Sequence, residues 1–183
     1  MVAHRKSGDV VSIGCFGAVR LMKNHITQAL AAIMFGDEAD KTVHFHINSY
    51  DIPGYIDPVI NNLREMFSKL TRHKLIEHGW MCRSDFLNLI RDMDIVSQVS
   101  FTETFNIVAA DAMYQGVPII VSDEISWVGD YAHRDPNSAS DIARGYRSIY
   151  TEWCRRNSLL QKQRRDMENF SNNALFIWLE RCL

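Results

Sequence analysis

No apolar run in the 183 residues approaches the ~20 that a membrane helix needs, so a membrane span is not expected. The opening Met-Val-Ala-His-Arg-Lys-Ser-Gly-Asp lacks the apolar centre of a signal peptide. Nor is there an excess of charge. A formal net charge of -2 removes the electrostatic reason to expect a nucleic-acid or membrane-surface partner. The basic pairs Arg155-Arg156 and Arg164-Arg165 read most simply as solvated helix faces. The four cysteines, Cys15, Cys82, Cys154 and Cys182, lie far apart with no CxxC spacing, and two fall in patterns that read as buried. Free thiols, a reducing compartment and a cytoplasmic location are the expectation. Internal repeats and low-complexity linkers are also missing, which leaves residues 1–183 as one domain with one sizeable core and 156–183 as a C-terminal helical extension.

What the chain does contain is alternation of strand and helix. Val10 to Cys15 is apolar and β-branched, runs into Gly14 and Gly17, and is followed by apolar residues at helical spacing from Asn24 to Phe35. The pattern repeats with a strand at Thr42 to Ile47, a Pro53-Gly54 turn and a helix opening at Asp57-Pro58, where proline sits well at the first helical position. A short strand at Lys74 to Glu77 ends at Gly79. Ser84 then reads as the cap of a helix to about Met93, and Asp94 to Val99 as a fourth strand. Glu103 to Tyr114 reads as helix, closed by Gly116, and Val117 to Val121 as a fifth strand with Pro118 near its start. Beyond Ser138 only helical patterns remain: Ala139 to Cys154, Ser158 to Asn169 and Asn172 to Cys182. The last carries Leu175, Phe176, Trp178 and Leu179, an apolar load that needs a partner surface. The expected class is α/β: a Rossmann-like, doubly wound parallel sheet with helices on both faces and extra C-terminal helices.

Such a sheet binds ligands beyond the carboxyl ends of its strands, where loops meet helix N-termini whose unpaired amides favour anions. In the first loop, Gly17 lets the backbone approach a ligand, while Arg20, Lys23 and Asn24 lie beside a helix start. That combination suits a diphosphate, although a solvated loop is the plain reading of Arg20 and Lys23. The loop after the third strand offers Trp80 and Met81 to a flat nucleobase, with simple packing as the alternative for Trp80. The loop after the fourth strand holds Glu103, Thr104, Phe105, Asn106 and Ile107, and Asp111 follows eight positions after Glu103. Eight positions are about two helical turns, so both acids can face one side of one helix. A carboxylate accepts two hydrogen bonds from a diol, so one acid suits a sugar and the other a ribose. The amides of Phe105, Asn106 and Ile107, read as the first helical turn, would face phosphate.

At these residues the sequence resembles the donor-binding domain of the retaining GT-B glycosyltransferases, the broad group with mannosyl-, glucosyl- and sucrose-related transferases. Their signature places a Glu, seven residues and a second Glu in a stretch like Ser-x-x-Glu-x-Phe-Gly, then Glu-Ala-x-Ala-x-Gly-x-Pro-Val-Ile. Here it reads Ser100-Phe101-Thr102-Glu103-Thr104-Phe105-Asn106, then Asp111-Ala112-Met113-Tyr114-Gln115-Gly116-Val117-Pro118-Ile119-Ile120. The resemblance spans about residues 10 to 145 and implies that Glu103 contacts the donor sugar and Asp111 the ribose hydroxyls. It also implies that Asn106 and Ile107 contact sugar and phosphate through backbone amides, and that Lys23 binds the diphosphate. Three positions depart. Ala18 stands where the family has Arg, with Arg20 a candidate substitute; Asp111 is one methylene shorter than Glu; Asn106 replaces Gly, either narrowing the sugar pocket or adding a contact. The resemblance further implies a second, acceptor-binding domain or partner chain, so that these residues form one half of a GT-B fold: a fragment, a separately encoded half or a short relative.

The function expected is transfer of a glycosyl group, with retention, from a nucleotide diphosphate sugar. Its rivals are a catalytically silent binding or assembly module and an epimerase-like relative. No cofactor or metal is expected. His44 and His46 share a strand face without a third ligand nearby, and Asp123-Glu124 reads as a solvated turn.

Overall fold

A computed structural model describes residues 9–49, 57–151 and 153–182, and for 153–156 and 175–182 the backbone alone. The expected Pro53-Gly54 turn, the thiols of Cys154 and Cys182, and the apolar side chains from Leu175 to Leu179 fall outside the described residues.

Strand β1 (Val10–Cys15) leads through a short turn at Leu21–Lys23 into α1 (His25–Glu38) and β2 (Thr42–Asn48). Helix α2 (Pro58–Ser68) precedes β3 (Lys74–His78), and α3 (Arg83–Arg91) carries the chain across to β4 (Ile95–Gln98). Helix α4 (Ile107–Gln115) returns to β5 (Ile119–Val121), and α5 (Ala139–Thr151) and α6 (Trp153–Cys182) close the chain. The five strands form one sheet in the order β3-β2-β1-β4-β5, with every pairing parallel. Side chains on a strand alternate between faces, and here each face buries a separate core. Val11, Ile13 and Cys15 of β1 and Val43, Phe45 and Ile47 of β2 pack against Ala32 and Phe35 of α1, Leu63 of α2 and Tyr146 of α5. On the opposite face Val96, Ile119 and Val121 pack against Ile90 of α3 and Val108 and Ala112 of α4.

The strands and their helices fall where the sequence places them, but several boundaries move. Helix α2 opens as expected: Pro58 is its first residue and the Asp57 carboxylate accepts from the Val59 and Ile60 amides at 2.8 and 3.2 Å. Helix α3 starts a residue before Ser84, with Cys82 in the capping position and no side-chain cap, and stops at Arg91. The two last helical patterns, 158–169 and 172–182, are one uninterrupted α6, because no glycine or proline lies between Trp153 and Cys182 to break it. That helix seals the sheet edge. Gln163, 1% exposed, donates to the Ile119 carbonyl at 2.9 Å and accepts from the Ile119 amide at 3.3 Å, standing in for a sixth strand.

Candidate functional site

The strand order reverses between β1 and β4. Chain leaving β1 turns one way toward β2, chain leaving β4 turns the other way toward β5, and the loops after them splay apart to leave a crevice at their carboxyl ends. These are the loops that carry Gly17 to Asn24 and Ser100 to Asn106.

The two loops are tied together by named bonds. The Phe101 amide donates to the Met22 carbonyl at 2.9 Å, and the Asn24 side-chain amide donates to the carbonyls of Val99 at 3.1 Å and Pro136 at 2.8 Å. Beneath them Gln28, fully buried on α1, accepts from the Ser97 hydroxyl at 2.6 Å and the Val99 amide at 3.0 Å, and donates to the Lys23 carbonyl at 2.8 Å. Gly17 adopts φ 103°, a conformation only glycine takes without strain, and its amide donates to the Asn48 side chain at 2.9 Å. Above this frame the Lys23 ammonium is ion-paired with the Glu103 carboxylate, which also accepts from the Ser100 hydroxyl at 3.1 Å. The Glu103 side chain is 8% exposed and that of Lys23 23%. The cation of the first loop and the first acid of the second thus share one spot at the strand ends.

Glu103 does not stand at a helix start, as the sequence suggested. It lies in the loop, and α4 begins at Ile107 with Asn106 as N-cap, because Asn106 takes a left-handed conformation (φ 54°) that interrupts the helix. The first-turn amides are therefore those of Ile107, Val108 and Ala109, and the Asn106 side chain takes the last at 2.9 Å. Its other end donates to Gln98 at 3.0 Å. The Asn106 side chain is thus turned inward, 7% exposed and spent on Gln98 and the Ala109 amide, and its backbone is left-handed. Asn24 likewise spends its side-chain amide on the loop junction rather than on open space.

The second acid is equally engaged. Asp111, its side chain 6% exposed on α4, holds Arg83 of α3 in a two-pronged ion pair at 2.9 and 2.5 Å. Sequence reading missed Arg83, since a lone Arg in a helix start carries no local signal and its partner lies 28 residues away. Arg20, Trp80 and Thr104 are exposed, Trp80 by 64%, and Met81 is half-buried. Phe105 and Ile107 are also exposed at 41% and 57%. The Phe105 ring packs against Trp127 and Phe170 of α6, at 5.3 and 5.4 Å between centroids, in a three-ring cluster in which Trp127 and Phe170 also meet at 5.7 Å, and its carbonyl accepts from the Trp127 indole at 2.6 Å. That stack braces the Glu103 loop from behind.

His46 and His78 lie toward the carboxyl ends of β2 and β3, with His44 two residues before His46. His46 Nδ1 lies 2.9 Å from His78 Nε2 in a stacked pair, and no group of three metal-ligating side chains occurs among the described residues. Burial and the neighbouring imidazoles push His46 down to about 4. His25, first residue of α1, is lowered to about 4 by burial and then by the nearby Lys23 charge.

No protein-family model matches the sequence, and no curated protein matches it. Solved structures do. The chain has the fold of one half of a GT-B glycosyltransferase. It superposes on the C-terminal domain of a group 1 family glycosyl transferase from Francisella tularensis with a TM-score of 0.74 and 21% identity, over 87% of this chain and 85% of that one. The catalytic domain of cholesterol-alpha-glucosyltransferase from Helicobacter pylori gives 0.70 and 12% identity, over 87% and 98%. An alpha,alpha-trehalose-phosphate synthase (UDP-forming) from Burkholderia vietnamiensis gives 0.72 and 10%, over 96% of this chain but only 46% of that one. The chain thus spans under half the length of that synthase, and at these identities the likeness is one of fold. No helix among the described residues is long and apolar enough to cross a membrane.

Proposed function

We propose that this chain is the donor half of a glycosyltransferase: it binds a nucleotide diphosphate sugar at the β1/β4 crevice and, with an acceptor-binding domain or partner chain, transfers the glycosyl group with retained configuration. The observation that carries this reading is the meeting of Lys23 and Glu103 across the two loops that flank the crevice. A cation and a carboxylate side by side suit the junction between a diphosphate and its sugar, where one group neutralises charge and the other orients hydroxyls. Lys23 and Arg20, with the Gly17 backbone, hold the diphosphate; Glu103 and the backbone of Thr104 to Ile107 hold the sugar. Asp111 takes the ribose, and Trp80 and Met81 border the base. Catalysis then comes from positioning and from stabilising the leaving diphosphate through cations and helix amides, with no metal required.

One observation favours the rival reading of a silent module: Glu103 and Asp111 are each already paired with a cation of this chain. Calorimetry with UDP, GDP and ADP separates the two. Binding of one of them, weakened at least tenfold by Asp111→Ala, supports the donor half; absence of binding by all three overturns it.

A further inference from the structure

Asp111 is placed to hold a ribose, yet a ribose approaching from solvent meets Arg83 first. The Asp111 side chain is 6% exposed, while that of Arg83 is 59% exposed and spans from α3 to α4 above it. Both carboxylate oxygens are engaged, at 2.9 and 2.5 Å, by two nitrogens of one planar guanidinium. While the fork is in place, a vicinal diol has to compete with the guanidinium for both carboxylate oxygens. Aspartate, shorter than glutamate by a methylene, draws the carboxylate down toward the helix surface, and the long arginine occupies the room above. Among the described residues Arg83 makes its side-chain hydrogen bonds to Asp111, and the helix start it stands on has no side-chain cap.

We infer that Arg83 is a specificity residue of the nucleotide site, a latch on Asp111 that the ribose diol must displace. The inference rests on the proposed donor site. Opening the fork returns the exposed guanidinium to water but leaves the buried carboxylate uncompensated, so it opens readily only to a group that replaces its bonds. Hydroxyls that replace the fork bond for bond open the latch. A nucleotide lacking them finds Asp111 shut.

The test is calorimetry. UDP, GDP and ADP are compared with their 2′,3′-dideoxy counterparts on the parent chain, Arg83→Met and Arg83→Lys. Removing the latch is expected to tighten binding of the ribonucleotide about tenfold, with a smaller gain for Arg83→Lys, which keeps the charge but lacks the fork. The dideoxy nucleotide is expected to gain nothing. Unchanged or weakened binding in Arg83→Met overturns the latch while leaving the donor site standing, and so does an equal gain for the dideoxy form. If no nucleotide binds any of the three proteins, the donor site and the latch fall together. Should Arg83→Met melt early from the uncovered Asp111 charge, Arg83→Lys decides by the same comparison.

Discussion

Gln28 offers the sharpest check on how the crevice is built. It is fully buried on α1, and its side chain reaches both loops: the Val99 amide on one side and the Lys23 carbonyl on the other, with the Ser97 hydroxyl between. Gln28→Met keeps the length and volume of the side chain and removes every hydrogen bond it makes. The Ser97 hydroxyl still has Tyr146, whose OH donates to it at 2.9 Å. The Asn24 carbonyl still accepts from the Gln28 amide at 3.2 Å. The buried Val99 amide and the partly buried Lys23 carbonyl lose these partners. At about 1–3 kcal/mol for each orphaned group the expected loss is roughly 4 kcal/mol. For a chain of this size that lowers the melting midpoint by roughly 10 °C. Urea unfolding with unchanged slope is the assay, since it separates a loss of stability from a change in the unfolded state. A loss below about 1 kcal/mol would refute the reasoning, because it would mean that the loops are held in place without this network.

Two further outcomes are expected. Glu103→Gln retains shape but removes the charge that faces Lys23, so affinity for a bare nucleoside diphosphate should hold or rise while the extra affinity from an attached sugar falls about tenfold; calorimetry comparing UDP with UDP-glucose, and GDP with GDP-mannose, reads that difference, and an unchanged increment removes Glu103 from the sugar site. Acidification should destabilise the fold before most carboxylates titrate. His25 and His46 are held down to about 4, so the unfolded chain binds protons that the folded chain refuses as pH falls below about 6.5, and stability present above that value is lost toward 4. At about pH 5 the cost is roughly 2 kcal/mol for His25 and less for the more accessible His46. Urea midpoints at neutral and mildly acid pH measure it, and a midpoint constant across that range contradicts it.

Local patterns carried a large part of this architecture. The apolar stretches from Val10 to Cys15 and from Thr42 to Ile47 each bury alternate residues against helices, and alternation is a property of a strand that neighbours in sequence already express. Asp57-Pro58 opened α2, and Gly116, at φ 73°, closed α4, because the need for a cap or a left-handed residue is felt within one turn. Gly17, Lys23, Glu103 and Asp111 stood out as residue types at spacings that suit a phosphate, a sugar and a ribose, and the structure brings Lys23 and Glu103 together. Where α4 begins was not legible. Glu103 looked like a helix start until the left-handed backbone of Asn106 set the boundary, and that conformation is secured by Gln98 reaching across from β4. The continuity of α6 was hidden for the opposite reason, since polar residues near 157 and 171–173 weaken the local pattern while docking through Gln163 and Phe170 holds the helix to the sheet. Arg83 had no local mark at all. Its meaning comes from Asp111, brought beside it only when the sheet reverses order between β1 and β4 and sets α3 against α4. Periodicity and capping determined which elements form and which groups stand at their ends; long-range packing decided which charges meet there, because an ion pair depends on distance in space and sequence records only distance along the chain.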